Sequence, residues 1–157
     1  MIAEAAVELA IVRKPADSAV ESAARQKLLS ISASTQDHVA LRRLTDQLDW
    51  CVWPVKTCRE ALQRLVSERF EVVFCDSVLE DGCWKHVLEQ IGTGAAAPLL
   101  IVTSRLADAC LWSEVLNLGG YDVLAKPFDA RDVRHVLTTV SLRPRASSVQ
   151  VKTVGAH

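Results

Sequence analysis

Short runs of hydrophobic residues alternate along this chain with segments whose hydrophobic positions recur every three or four residues. The first run holds Leu28, Leu29 and Ile31, and the second is Trp50–Val55. Residues 72–75 (VVFC), 98–102 (PLLIV) and 121–125 (YDVLA) are the third, fourth and fifth. Continuous apolar runs of this length predict strands buried on both faces. Between them lie helical patterns. Ser34-Thr35 offers a cap for a helix carrying Leu41, Leu44 and Leu48, and Thr57 precedes Cys58, Ala61, Leu62 and Leu65 in register. A third helix carries Trp84, Val87, Leu88 and Ile91, and a fourth spans residues 107–118 and stops at Gly119-Gly120. Asp129 caps a fifth, with Val133, Val136, Leu137 and Val140 on one face.

Strands that alternate with amphipathic helices predict right-handed crossovers and a parallel sheet covered on both faces. Five such units predict an α/β, flavodoxin-like, doubly wound five-stranded parallel sheet. The domain spans residues 27–142. Residues 1–26 are Ala-rich and broken by Pro15, which predicts a loosely held extension; a docking or dimerisation arm is the alternative. The polar tail 143–157 has no room for an output domain.

Composition narrows the class further. The chain has 157 residues, enough for one domain with a real core, and half of them are hydrophobic. A formal net charge of -1, with both signs interspersed, predicts no nucleic-acid or membrane surface. Five cysteines (Cys51, Cys58, Cys75, Cys83, Cys110) show no CxxC or Cys/His ligand spacing, as expected of small core residues in a reducing cytoplasm. No apolar run has the length of a membrane span, and no basic region followed by a hydrophobic core opens the chain.

The candidate chemistry sits at strand ends. The third strand stops at Asp76, the fourth is followed by Thr103-Ser104, and the fifth ends in Lys126-Pro127. Taken singly, Asp76 could merely end a strand, Thr103 cap a helix and Lys126 be a solvated lysine. In a parallel sheet, however, the carboxyl ends of the strands share one edge, so the three converge. A carboxylate can attack phosphorus, a hydroxyl can bond a phosphoryl oxygen, and an ammonium can neutralise the accumulating charge.

These residues carry a resemblance. DSVLEDG (76–82), the TS of IVTSR, and GGYDVLAKPF (119–128) make residues 27–142 resemble the receiver domain of bacterial two-component response regulators. The resemblance implies Asp76 as phosphoacceptor, Thr103 as switch hydroxyl and Lys126 as phosphoryl-binding lysine, with Asp81 a non-catalytic turn residue. It implies no enzyme acting on a free substrate. It also implies Mg²⁺ held by Asp76, the backbone carbonyl of Val78 and an acidic pair at the end of the first strand. Here that pair reads Ser32-Ala33, which predicts weak Mg²⁺ binding. Asp37 is a possible substitute, expected to sit on the first helix and not at the strand end. The family's switch aromatic falls at Val123; Tyr121 is expected to face the same side.

Two functions follow. One is a single-domain receiver phosphorylated on Asp76 by a histidine kinase or phosphotransfer protein. The other is a phosphorylation-independent pseudo-receiver that serves as an interaction module. A haloacid-dehalogenase-type phosphatase would want a second aspartate where Val78 stands, which excludes it. In either function the resemblance implies output to a downstream protein or a second copy. The face would be the fourth helix, fifth strand and fifth helix, within residues 108–118, 121–125 and 129–140. Trp112, on the fourth helix, is expected in the core, with an exposed interface position the alternative.

Overall fold

Five of the seven strands among the described residues pair side by side in one parallel sheet. The computed structural model describes residues 25–92 and 94–144; the extension before residue 25 and the tail after residue 144 lie outside the described residues. The elements are β1 (Gln26–Ile31), α1 (Thr35–Thr45), β2 (Trp50–Val55), α2 (Cys58–Ser67), β3 (Val72–Asp76), β4 (Val78–Leu79), β5 (Gly82–Cys83), α3 (Trp84–Ile91), β6 (Leu99–Ser104), α4 (Ala109–Leu118), β7 (Asp122–Ala125) and α5 (Ala130–Ser141). The sheet order is β2-β1-β3-β6-β7, every neighbouring pair parallel. The predicted doubly wound fold is therefore present.

Alternation along the strands divides the core in two. Leu28, Val72, Phe74, Ile101 and Leu124 face α1 and α5, where Leu41, Val133, Val136, Leu137 and Val140 meet them. Leu29, Ile31, Val73, Cys75, Leu100 and Val102 face the other way, against Cys58, Ala61, Trp84, Val87 and Val115 of α2, α3 and α4. Residues 72–75 of β3 and 99–102 of β6 are apolar without a break because both faces of these central strands are covered.

The helices begin where the sequence places their caps. Ser34 Oγ accepts from Asp37 N, Thr57 Oγ1 from Glu60 N, and Asp129 Oδ1 from Arg131 N and Asp132 N. Asp108 caps α4, two residues later than the pattern suggests. One element was not foreseen. The chain after Asp76 folds into a small antiparallel hairpin, β4–β5, whose turn is Glu80-Asp81, so Gly82 lies in a strand and not in the turn.

Candidate functional site

Strand parity decides which side chains meet. Ser32 continues the side of β1 that holds Leu28, and Asp76 that of Val72 and Phe74. Thr103 continues the side of Ile101, and Lys126 that of Leu124. Period two therefore sends all four toward the face covered by α1 and α5, at the carboxyl edge of the sheet. The backbone fixes their height. Asp76 pairs with Thr103 across β3 and β6, Ser32 N donates to Val55 O at 3.0 Å, and Lys126 N to Ser104 O at 3.0 Å.

At that edge Asp76 is the hub. Its Oδ1 accepts from Thr103 Oγ1 at 2.8 Å and pairs with Lys126 Nζ at 2.6 Å. Its Oδ2 lies 2.8 Å from Ser32 Oγ. The three residues expected to converge do converge.

A third charged group completes the cluster. Asp37 lies on α1, as expected, yet its carboxylate reaches the strand ends. Its Oδ2 is 2.5 Å from Lys126 Nζ and 3.0 Å from Ser32 Oγ. The expectation that a helix position keeps Asp37 out of the site is thus corrected. The first turn of α1 hangs directly over the end of β1, and Ser34 holds it there as N-cap. A carboxylate in a first helical turn is also favoured by the helix dipole. The signal available in the sequence was this cap together with strand parity, which points the site at α1. The cluster is sheltered: side-chain exposures are 9% for Lys126, 14% for Asp37 and 15% for Asp76.

Beneath it lies a neutral histidine. His38 Nε2 bonds the carbonyl of Ser32 at 2.8 Å, and Nδ1 pairs with Ser30 Oγ at 2.9 Å. An N–H must face the carbonyl, so Nδ1 is the acceptor and Ser30 the donor. Burial lowers the pKa of His38, partly offset by the bond to Ser32 and by Asp37 and Asp76.

Asp81 lies away from the cluster, in the turn of the hairpin. It accepts from the backbone N–H groups of Cys58 at 2.8 Å and Arg59 at 3.0 Å, tying the hairpin to the start of α2. These bonds hold its carboxyl below the ordinary range.

The residues present do not fit a divalent metal. Mg²⁺ needs oxygen ligands with free lone pairs in near-octahedral array. Here one oxygen of each carboxylate already holds the Lys126 ammonium, and Ser32 and Ala33 supply no anionic oxygen. Among the described residues no group of three or more His, Cys, Asp or Glu side chains could hold a metal ion. Val78, whose carbonyl was the remaining expected ligand, sits in the hairpin opposite Cys83.

Two aromatic expectations need correction. Tyr121 does not share a side with Val123: it packs with the α1/α5 core and Val123 with the other. Tyr121 precedes β7, so strand alternation does not extend back to it. Trp112 is not a core residue. It is 49% exposed on α4, its indole N–H donating to Asp122 at 3.3 Å. Val115 fills the buried position of that helix instead.

Solved structures share this fold. The signal receiver domain of a putative Luxo repressor protein from Vibrio parahaemolyticus superposes with a TM-score of 0.72 at 19% identity, covering 80% of this chain and 96% of that one. A two-component response regulator from Clostridium difficile gives 0.68 at 18% identity, covering 76% and 98%. The beryllofluoride-activated NtrC4 receiver domain dimer gives 0.66 at 18%, covering 73% and 94%. No protein-family model matches the sequence, and no curated protein matches it. At these identities the likeness is one of fold: the chain has the architecture of response-regulator receiver domains.

Proposed function

We propose that the protein is a signal-transduction receiver that takes a phosphoryl group on Asp76 from a histidine kinase or phosphotransfer protein and passes the change on by protein contact. The observation that carries this reading is the meeting of Thr103 Oγ1 and Lys126 Nζ on one oxygen of Asp76. A phosphoryl group brings negative charge to the carboxylate, and a hydroxyl donor and an ammonium beside it are suited to receive that charge. Asp76 Oδ2 is the attacking atom. Its partner is the Ser32 hydroxyl, whose single proton can turn to Asp37 and free a lone pair. The new O–P bond forms as the P–N bond of a phosphohistidine breaks, the electron pair leaving with the imidazole. In this reading the only group the protein modifies is its own Asp76.

Output runs through the face of α4, β7 and α5, to a partner protein or a second copy. The half-exposed Trp112 supports this face, and the beryllofluoride-activated neighbour is a dimer. The free thiols of Cys58, Cys75, Cys83 and Cys110 suit a cytoplasmic setting, and no described helix is long and apolar enough to cross a membrane.

Incubation with a small acyl phosphate, followed by intact-mass measurement, tests the reading. Wild type should gain one phosphoryl group and Asp76→Asn none. Labelling of both proteins, or of neither, overturns it. The second reading, a phosphate-independent interaction module, is favoured by the sharing of Lys126 between Asp76 and Asp37. Under it, wild type and Asp76→Asn retain the same partner equally, with and without the phosphodonor.

A further inference from the structure

Two sheltered carboxylates from different elements meet in this pocket. Asp37 Oδ2 and Asp76 Oδ2 both touch the single hydroxyl of Ser32, at 3.0 and 2.8 Å. One proton cannot serve both, and like charges this close repel strongly where solvent screening is poor. A cation is needed between them. The chain supplies it: Lys126 Nζ lies 2.6 Å from Asp76 and 2.5 Å from Asp37.

We propose that the Lys126 ammonium is the resident cation of this pocket, bridging Asp76 and Asp37 in the place of a divalent metal and thereby keeping such metals out. The lysine is held at the end of β7 by its backbone bond to Ser104 O, so its charge is presented from a fixed point. A tethered cation competes at high effective concentration against one from solution. A metal would also have to enter beside the ammonium, bringing two positive centres together, or expel it from its two partners into the 9% opening left to it. The scarcity of carboxylates is therefore only half of the reason for weak metal binding; the other half is occupancy by the protein's own charge. This holds whether or not Asp76 accepts a phosphoryl group.

Titration calorimetry with Mg²⁺ and Mn²⁺ alone tests the proposal on the full chain. Wild type should show no saturable binding up to about 10 mM. Lys126→Met leaves two facing carboxylates without their cation and should bind Mn²⁺ at least about tenfold more tightly than wild type. The double variant Lys126→Met/Asp37→Asn should lose that gain. Saturable binding by wild type as tight as by Lys126→Met overturns the proposal, as does a folded Lys126→Met that gains nothing. If Lys126→Met does not fold, Asp37→Asn decides, because it keeps the Lys126–Asp76 pair. It should lower the urea midpoint; a midpoint equal to that of wild type overturns the bridge.

Discussion

His38 shows how a single residue at the foot of the cluster couples pH to stability. In the fold its ring is neutral, donating to the Ser32 carbonyl and accepting from Ser30, and burial lowers its pKa below 6.5. The unfolded chain then binds more protons than the folded one between the folded pKa and 6.5, so stability falls as pH drops through that window. The groups that face His38 pull in both directions: Asp37 and Asp76 favour its charged form, and Arg42 opposes it. Urea midpoints measured at about pH 7.5 and about pH 5.5 should show wild type weaker at the lower value. His38→Gln should flatten the difference; an unchanged difference would assign it to other groups. Asp76, Thr103 and Lys126 could be placed from sequence because strand ends share an edge. For Asp37 the cap at Ser34 and strand parity only point the site toward α1; that its carboxylate arrives there depends on how α1 sits over β1, a tertiary fact.

Among elements, the end of α4 shows two adjacent glycines serving different needs. Gly119 closes the helix at φ 111°, a left-handed conformation that side chains rarely adopt. Gly120 has no such angle but has a neighbour: a Cβ there would lie 2.4 Å from Cγ1 of Val115, which is fully buried. Gly120→Ala should therefore destabilise by about 1–3 kcal/mol, read from the urea midpoint. Combined with Val115→Ala, which removes the obstructing methyl, the two costs should sum to less than their separate values; strict additivity would show that the contact relaxes without cost. The glycine pair was legible as a helix stop, whereas its reason at residue 120 needed Val115 in place. The same holds for Asp81. A turn residue is easy to read from an acidic-Gly pair, but its bonds to Cys58 and Arg59 cross from the hairpin to α2.

For the whole molecule, the sheet order puts β1, β3 and β6 inside and leaves β2 and β7 at the edges. Amides of the inner strands should exchange with deuterium most slowly, at rates set by global unfolding, and those of β7 faster. Protection of β7 equal to that of β3 would mean that its outer edge is covered in solution, as by a second copy. Strands β3 and β6 were legible because two-sided burial leaves an unbroken apolar run, which Ser30 interrupts in β1 and Asp122 in β7. Trp112 was misread because hydrophobicity alone does not say which flank of a helix a large ring occupies. Its placement has an optical consequence. Trp50 and Trp84 are buried and Trp53 is partly buried against Phe70, so Trp112 is the indole most open to solvent. Its emission should lie to the red of the others and be the first quenched by acrylamide. Any partner that covers α4 and β7 would then announce itself as a blue shift, with no added dye.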